Sequence, residues 1–102
     1  MVRRAEFRHI VRSLLTLLRA EREGRTLSVT EFLRETKMPS ATFYSTVKEA
    51  LVSYGFVEIV TNPRERVVTI KLTEKGRKLA MCLEEIGIGK DLGASEGPEE
   101  EG

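Results

Sequence analysis

Three groups of residues have the types and spacing to do chemistry. The first is Ser40, Ala41, Thr42, Ser45, Thr46 and Glu49. At helical spacing these short side chains share one face, opposite an apolar stripe of Tyr44, Val47 and Leu51 flanked by Phe43, Ala50 and Tyr54. A helix surface of hydroxyls and an alanine is slim enough to sit deep in the major groove of a duplex. There a hydroxyl reaches phosphates or base edges, and an alanine meets a thymine methyl. With Glu49 and no arginine, this face is poorly equipped for strong guanine readout. The helix N-terminus, with Ser40 as its expected cap, favours a phosphate. The plain reading of the same residues is a solvated polar face. The second group is Arg64 and Arg66 around Glu65, in the turn-rich run Asn62-Pro63-Arg64-Glu65-Arg66. An arginine on a narrow hairpin can enter a minor groove, where A-tract potential is most negative. Its plain reading is a charged tip that blocks strand pairing. The third group, Lys37, Lys48 and Lys71, offers phosphate contacts or orientation.

Catalytic chemistry finds little to work with. His9 is the one histidine, set between Arg8 and Ile10 with no ligand-spaced Cys, Asp or Glu, so it reads as a helix-packing residue. The one cysteine, Cys82, excludes an internal disulfide and any Cys-cluster zinc site, and its neighbours Met81 and Leu83 suggest a buried structural thiol. Gly24, Gly55 and Gly76 are separated stops and turns rather than a phosphate-cradling loop. Glu84 and Glu85, being adjacent, point to different sides of a helix. The sequence therefore assigns no catalytic residue, no metal and no cofactor, and the chain reads as a non-enzyme.

The elements that must position these residues are legible from period and punctuation. Residues 3–22 form a long helix with Phe7, Ile10, Val11, Leu14, Leu15, Leu17 and Leu18 at helical spacing, closed near Gly24. Leu27 sits in a short strand. Ser28-Val29-Thr30-Glu31 is a capping box opening a helix to Thr36 that buries Val29, Phe32 and Leu33. Lys37-Met38-Pro39 breaks the pattern, and Ser40 starts a third helix running to about Tyr54 and ended by Gly55. Residues 56–61 and 67–72 read as strands around the hairpin tip. Thr73 caps a last helix from Glu74 to Ile86, with Leu79, Leu83 and Ile86 on one face. The order gives an α+β winged helix-turn-helix: a three-helix core, a β-hairpin wing and a C-terminal helix. In a helix-turn-helix the second helix enters the major groove.

Composition agrees with a single domain. In 102 residues, 40% hydrophobic content supports one modest core. No apolar run reaches the roughly 18 residues of a membrane span, and the start MVRRAEFRH lacks a signal peptide's apolar stretch. The chain thus reads as cytoplasmic. Net charge is +1, yet residues 1–90 hold all 17 basic and only 11 acidic side chains, a surplus of six. Asp91, Glu96, Glu99, Glu100 and Glu101 put the balancing acid into the tail. A basic body suits a polyanionic partner. The expected layout is a domain over 1–88 and a disordered acidic tail over 89–102, which can mask the basic face. The absence of glutamine and the single asparagine, Asn62, resemble thermophile or archaeal usage.

On helix 3–22, Arg4, Arg8, Arg12, Arg19 and Arg22 fall within an arc of roughly 80° at the helical 100° per residue. Beside it lies an apolar arc broader than a surface helix needs. This predicts that part of the helix packs on its own domain and part on a second copy, with the arginines lying along apolar surface as the alternative.

Residues 27–60, LSVTEFLRETKMPSATFYSTVKEALVSYGFVEIV, and then NPRERVVTIKLTEKGRKLA, resemble MarR-type winged-helix regulators of bacteria and archaea. Leu72-Thr73-Glu74-Lys75-Gly76-Arg77 is similar to the family's strand-to-helix junction, and Tyr54-Gly55-Phe56-Val57 to the exit of its recognition helix. The resemblance implies a double-stranded DNA partner, a homodimer through helix 3–22 and/or the C-terminal helix, and transcriptional regulation by repression. It also implies that Arg66 is the wing arginine and Glu65 the acidic neighbour that orients it. Two other uses of the fold stay open: docking on protein, and sequence-independent chromatin binding.

Overall fold

The computed structural model describes residues 4–87. Helix α1 spans Arg4–Arg22, strand β1 Leu27–Ser28 and helix α2 Val29–Thr36. The third helix, residues 40–53, consists of an α turn (α3, Ser40–Thr42), a π turn (Phe43–Val47) and an α segment (α4, Lys48–Ser53). Strands β2 (Val57–Asn62) and β3 (Val67–Leu72) form the hairpin, and helix α5 spans Glu74–Ile86. The expected α+β winged helix-turn-helix is therefore the observed one. The acidic tail lies outside the described residues.

Local chemistry sets most boundaries. At α2, Ser28 Oγ accepts from the Glu31 amide at 3.1 Å while the Ser28 amide donates to Glu31 Oε1 at 3.0 Å, which completes the capping box. At α5, Thr73 Oγ1 accepts from the Gly76 amide at 3.0 Å and donates to Gly55 O at 2.5 Å. One threonine thus starts the last helix and ties it to the end of the third. Gly55 holds φ +78°, a left-handed value that suits glycine after a helix. Lys37 closes α2 in the same region, at φ 58°, with its amide donating to Leu33 O. A left-handed closing residue makes the break before Pro39.

The sheet is antiparallel in the order β1-β3-β2. Leu27 faces Ile70, and β2 runs from Val57↔Leu72 to Asn62↔Val67. Strand β2 begins one residue later than residues 56–61 predict. The Phe56 carbonyl accepts from the Thr73 amide at 3.0 Å, so Phe56 serves as a junction between strands and helix. Gly76 lies against that junction: a Cβ there would collide with the Phe56 carbonyl.

The core gathers Leu14, Phe32, Phe43, Val47, Leu51 and Ile70 from every layer. Helix α1 is the spine, packing on α2, α5, β3 and the π turn. Most of its broad apolar arc is therefore buried inside its own subunit: Ile10, Val11, Leu14, Leu17, Leu18 and Ala20 are buried, while Leu15 is half-buried and Phe7 is 41% exposed. The arc is wide because neighbours cover it on several sides. Its arginines bind locally as well. Arg12 donates to Thr36 O at 2.9 Å, at the negative end of the α2 dipole, and Arg22 pairs with Glu84 at 2.8 Å. On α5, Leu83 is buried but Ile86 and Met81 are exposed, so Ile86 does not share an inward face with Leu79 and Leu83. Cys82 is exposed, not a buried thiol. Both corrections have one cause: only one side of α5 meets α1, and the period alone does not say how wide that contact is.

Candidate nucleic-acid interface

The outward face of the third helix follows from how its first turns are wound. The Lys48 amide donates to Phe43 O, five residues back. A turn closed this way holds one residue more than an α turn. It brings residues four apart into line, so Phe43 stacks above Val47 and Leu51. Phe43 is 0% exposed and lies 5.6 Å from the Phe32 ring, centroid to centroid. Its neighbour Tyr44 is 57% exposed. This corrects the stripe drawn from the ideal 100° period: Phe43, Val47 and Leu51 face in, and Tyr44 faces out. Tyr44 packs edge-on against Phe43 at 5.0 Å, and Lys48 Nζ lies 5.5 Å from its ring centre.

The residues singled out on this helix are placed as follows. Ser40, Ala41, Ser45, Thr46 and Glu49 are exposed, and Thr42 and Lys48 are half-buried. Ser40 is not the cap: Pro39 holds that position in an extended conformation with no side-chain bond. Proline supplies the extended backbone a cap needs, and Ser40 becomes the first helical residue. The hydroxyls of Thr46 and Ser45 both donate to Thr42 O, at 3.1 and 3.4 Å. Their protons are engaged within the helix, so they offer lone pairs, and Thr46 a methyl, to an approaching partner. Tyr44, Lys48, Glu49, Val52 and Ser53 line a shallow hollow of about 330 Å³. Tyr44 and Val52 on this face are what the sequence pattern missed. Nothing in a strict helical period distinguishes Phe43 from Tyr44 as the inward ring.

The wing tip is built by Asn62. Its Oδ1 accepts from the amides of Arg64 and Glu65 at 2.9 and 3.3 Å, and its carbonyl accepts from the Arg66 amide at 2.7 Å. Arg66 takes φ 56°, so a left-handed residue closes the turn. Both arginines are exposed, and among the described residues no ion pair joins Glu65 to either. The orienting contact expected of Glu65 is absent; the backbone of the Asn62 turn sets the direction of the tip. Lys37 is exposed at the turn before the third helix. Lys71 stands opposite Glu58 across the hairpin and lines a different hollow, of about 280 Å³, with Leu17, Arg25, Leu27, Ile70 and Arg77. That hollow includes no residue of the third helix, which separates Lys71 from the other candidates.

The remaining cations are mostly matched. Arg25 is shared between Glu35 at 2.6 Å and Glu23 at 2.8 Å, and Arg77 meets Glu21 at 2.7 Å. The bond from Arg25 holds the Glu35 carboxyl below its usual range, and Arg22 does the same to Glu84. Burial, reinforced by Arg12 and Arg8, lowers His9 from its ordinary 6.5, so it is a packed neutral imidazole at neutral pH. Among the described residues, no cluster of three or more His, Cys, Asp or Glu could hold a metal, and no helix is long and apolar enough to cross a membrane.

Comparison with known proteins places this geometry in context. Residues 1–89 match the family described as ArnR1-like, winged-helix domain. No curated protein sequence gives a significant match. Among solved structures, Bordetella bronchiseptica BpsR aligns with a TM-score of 0.60 and 22% identity, over 95% of this chain and 76% of that one. BpsR is a protein whose DNA binding is regulated by 6-hydroxynicotinic acid. At that identity the alignment speaks for the shared fold.

Proposed function

The chain belongs to the ArnR1-like winged-helix domain family, and on that premise we propose that it regulates transcription by binding double-stranded DNA in a sequence-specific way, as a repressor acting in the cytoplasm. One observation carries the reading. The third helix keeps its hydroxyl-bearing face out of the core, and the hairpin that follows holds Arg64 and Arg66 on a fixed turn with no acidic partner. In this reading Ala41, Ser45, Thr46 and their neighbours face base edges in the major groove. Ser40, Thr42, Lys37 and Lys48 meet phosphates at its rim, and the two wing arginines follow the backbone into the adjacent minor groove.

A homodimer goes with it, since two-fold symmetry would set two recognition helices about one DNA turn apart. With most of α1 engaged inside the subunit, the outer side of α5 offers a contact through Met81 and Ile86, and α1 one through the exposed Phe7. Solution mass measurement checks this, and Met81→Glu with Ile86→Glu should yield a folded monomer.

The direct test is a binding titration of the full chain against random and genome-derived duplexes at two salt concentrations. Specific binding predicts a preferred set of sequences and a steep salt dependence. Uniform affinity across sequences would reduce the reading to general chromatin binding. Absence of duplex binding by folded protein would overturn it. The exposed pair Tyr44 and Val52 would then favour the second reading, a surface for docking on another protein.

A further inference from the structure

The outward face of the third helix lacks the groups that grip guanine and has those that suit an A·T pair. Guanine offers two acceptors to the major groove, read best by a paired donor such as arginine. This face has no arginine. Its one cation, Lys48, lies over the Tyr44 ring, and the Ser45 and Thr46 protons are turned back to Thr42 O. What projects instead is an aromatic ring, the methyls of Ala41, Thr46 and Val52, and the acceptor oxygens of Glu49. Tyr44 and Val52 wall the 330 Å³ hollow, with Glu49 and Ser53 beside them. An apolar hollow next to a carboxylate matches a base-pair edge that shows a methyl beside an amino group. Thymine paired with adenine has both groups, the C5 methyl of one base and, beyond the thymine O4, the N6 amino group of the other; a carboxylate also accepts from cytosine N4, so it is the methyl that marks the A·T pair.

We propose that Tyr44, with Val52 and Glu49, reads A·T pairs through the thymine 5-methyl group, so that this residue sets which sequences the protein selects. The inference rests on the DNA-binding reading above and sharpens it. Tyr44 is positioned for the role by the π turn: Phe43 holds the inward place, and the edge-on contact between the rings fixes the tyrosine's direction.

The experiment enriches duplexes from a random 20-base-pair pool with the full chain, then replaces thymine by uracil at each position of the best sequence. Removing a buried methyl should weaken binding about fourfold at each position read. In Tyr44→Ala the thymine and uracil duplexes should bind alike, whereas Tyr44→Phe should keep most of the difference. The exposed position makes both variants compatible with folding, which a thermal melt checks. A sequence preference with no response to uracil overturns this inference and leaves the DNA-binding reading standing. Failure to enrich any sequence, or capture of protein in place of duplex, overturns both.

Discussion

The inner platform, made of α1, α2, α5, β1 and the turn between α1 and β1, and the outer pair, made of the third helix's exposed face and the wing tip, use the same residue types in opposite ways. On the platform, Arg22, Arg25 and Arg77 each lie within 2.8 Å of a carboxylate, and most of the apolar arc of α1 is buried. At the wing tip, Arg64 and Arg66 have no such partner, and on the third helix Tyr44 and Val52 stand exposed. A count of arginines or apolar residues does not locate an interface. The informative ones are those the fold holds in place but leaves unmatched.

Phe43 and Tyr44, adjacent in sequence, lie on either side of this division, and replacing each with alanine should give the largest contrast. Phe43→Ala removes a fully buried ring and should cost about 3–5 kcal/mol of stability. Tyr44→Ala, on the exposed side, should stay within about 0.5 kcal/mol. Chemical denaturation of the two variants reads the difference directly; similar losses would place Tyr44 in the core after all.

The next contrast sets wing against platform. Arg64→Ala with Arg66→Ala should weaken duplex binding for all sequences and lower the slope of log affinity against log salt by up to about two units. An unchanged slope would remove the wing from the interface. Arg25→Ala, in which a matched arginine is lost, should leave that slope and the thermal midpoint within error. A drop in slope there would mean that the platform, too, touches DNA.

The smallest effect is a response to acid confined to the platform. The folded state holds His9 below its ordinary 6.5, so the unfolded chain takes up the proton first. Stability should therefore fall as pH drops below about 6.5 and level off beneath the folded value. Glu35 and Glu84, held below their ordinary 4.5, add a second loss at pH values under about 4.5. Denaturation at pH 7.5 and 5.5 should differ in the native chain and differ less in His9→Asn. Equal differences in the two proteins would exclude His9 as the source.

Much of this was legible in advance because it is local. The Ser28 box, the Thr73 cap, the glycine turn at Gly55 and the strand over 67–72 depend on a few neighbouring residues, and each appears where the sequence puts it. The exposed candidates Ser40, Ala41, Ser45 and Thr46 were legible for the same reason. Less legible were features set by contact between distant segments: the exposure of Cys82 and Ile86, the burial of most of the α1 arc, and the partnerless state of the wing arginines.

By itself, then, the sequence determined the order of the elements, where they begin and end, and the small polar composition of the helix that leads the site. Tertiary structure decided which aromatic ring that helix turns outward. Side-chain direction on a helix depends on how many residues each turn holds. Here one turn is closed five residues back, and the ring it turns inward, Phe43, packs against Phe32, a contact across eleven positions that no local period encodes.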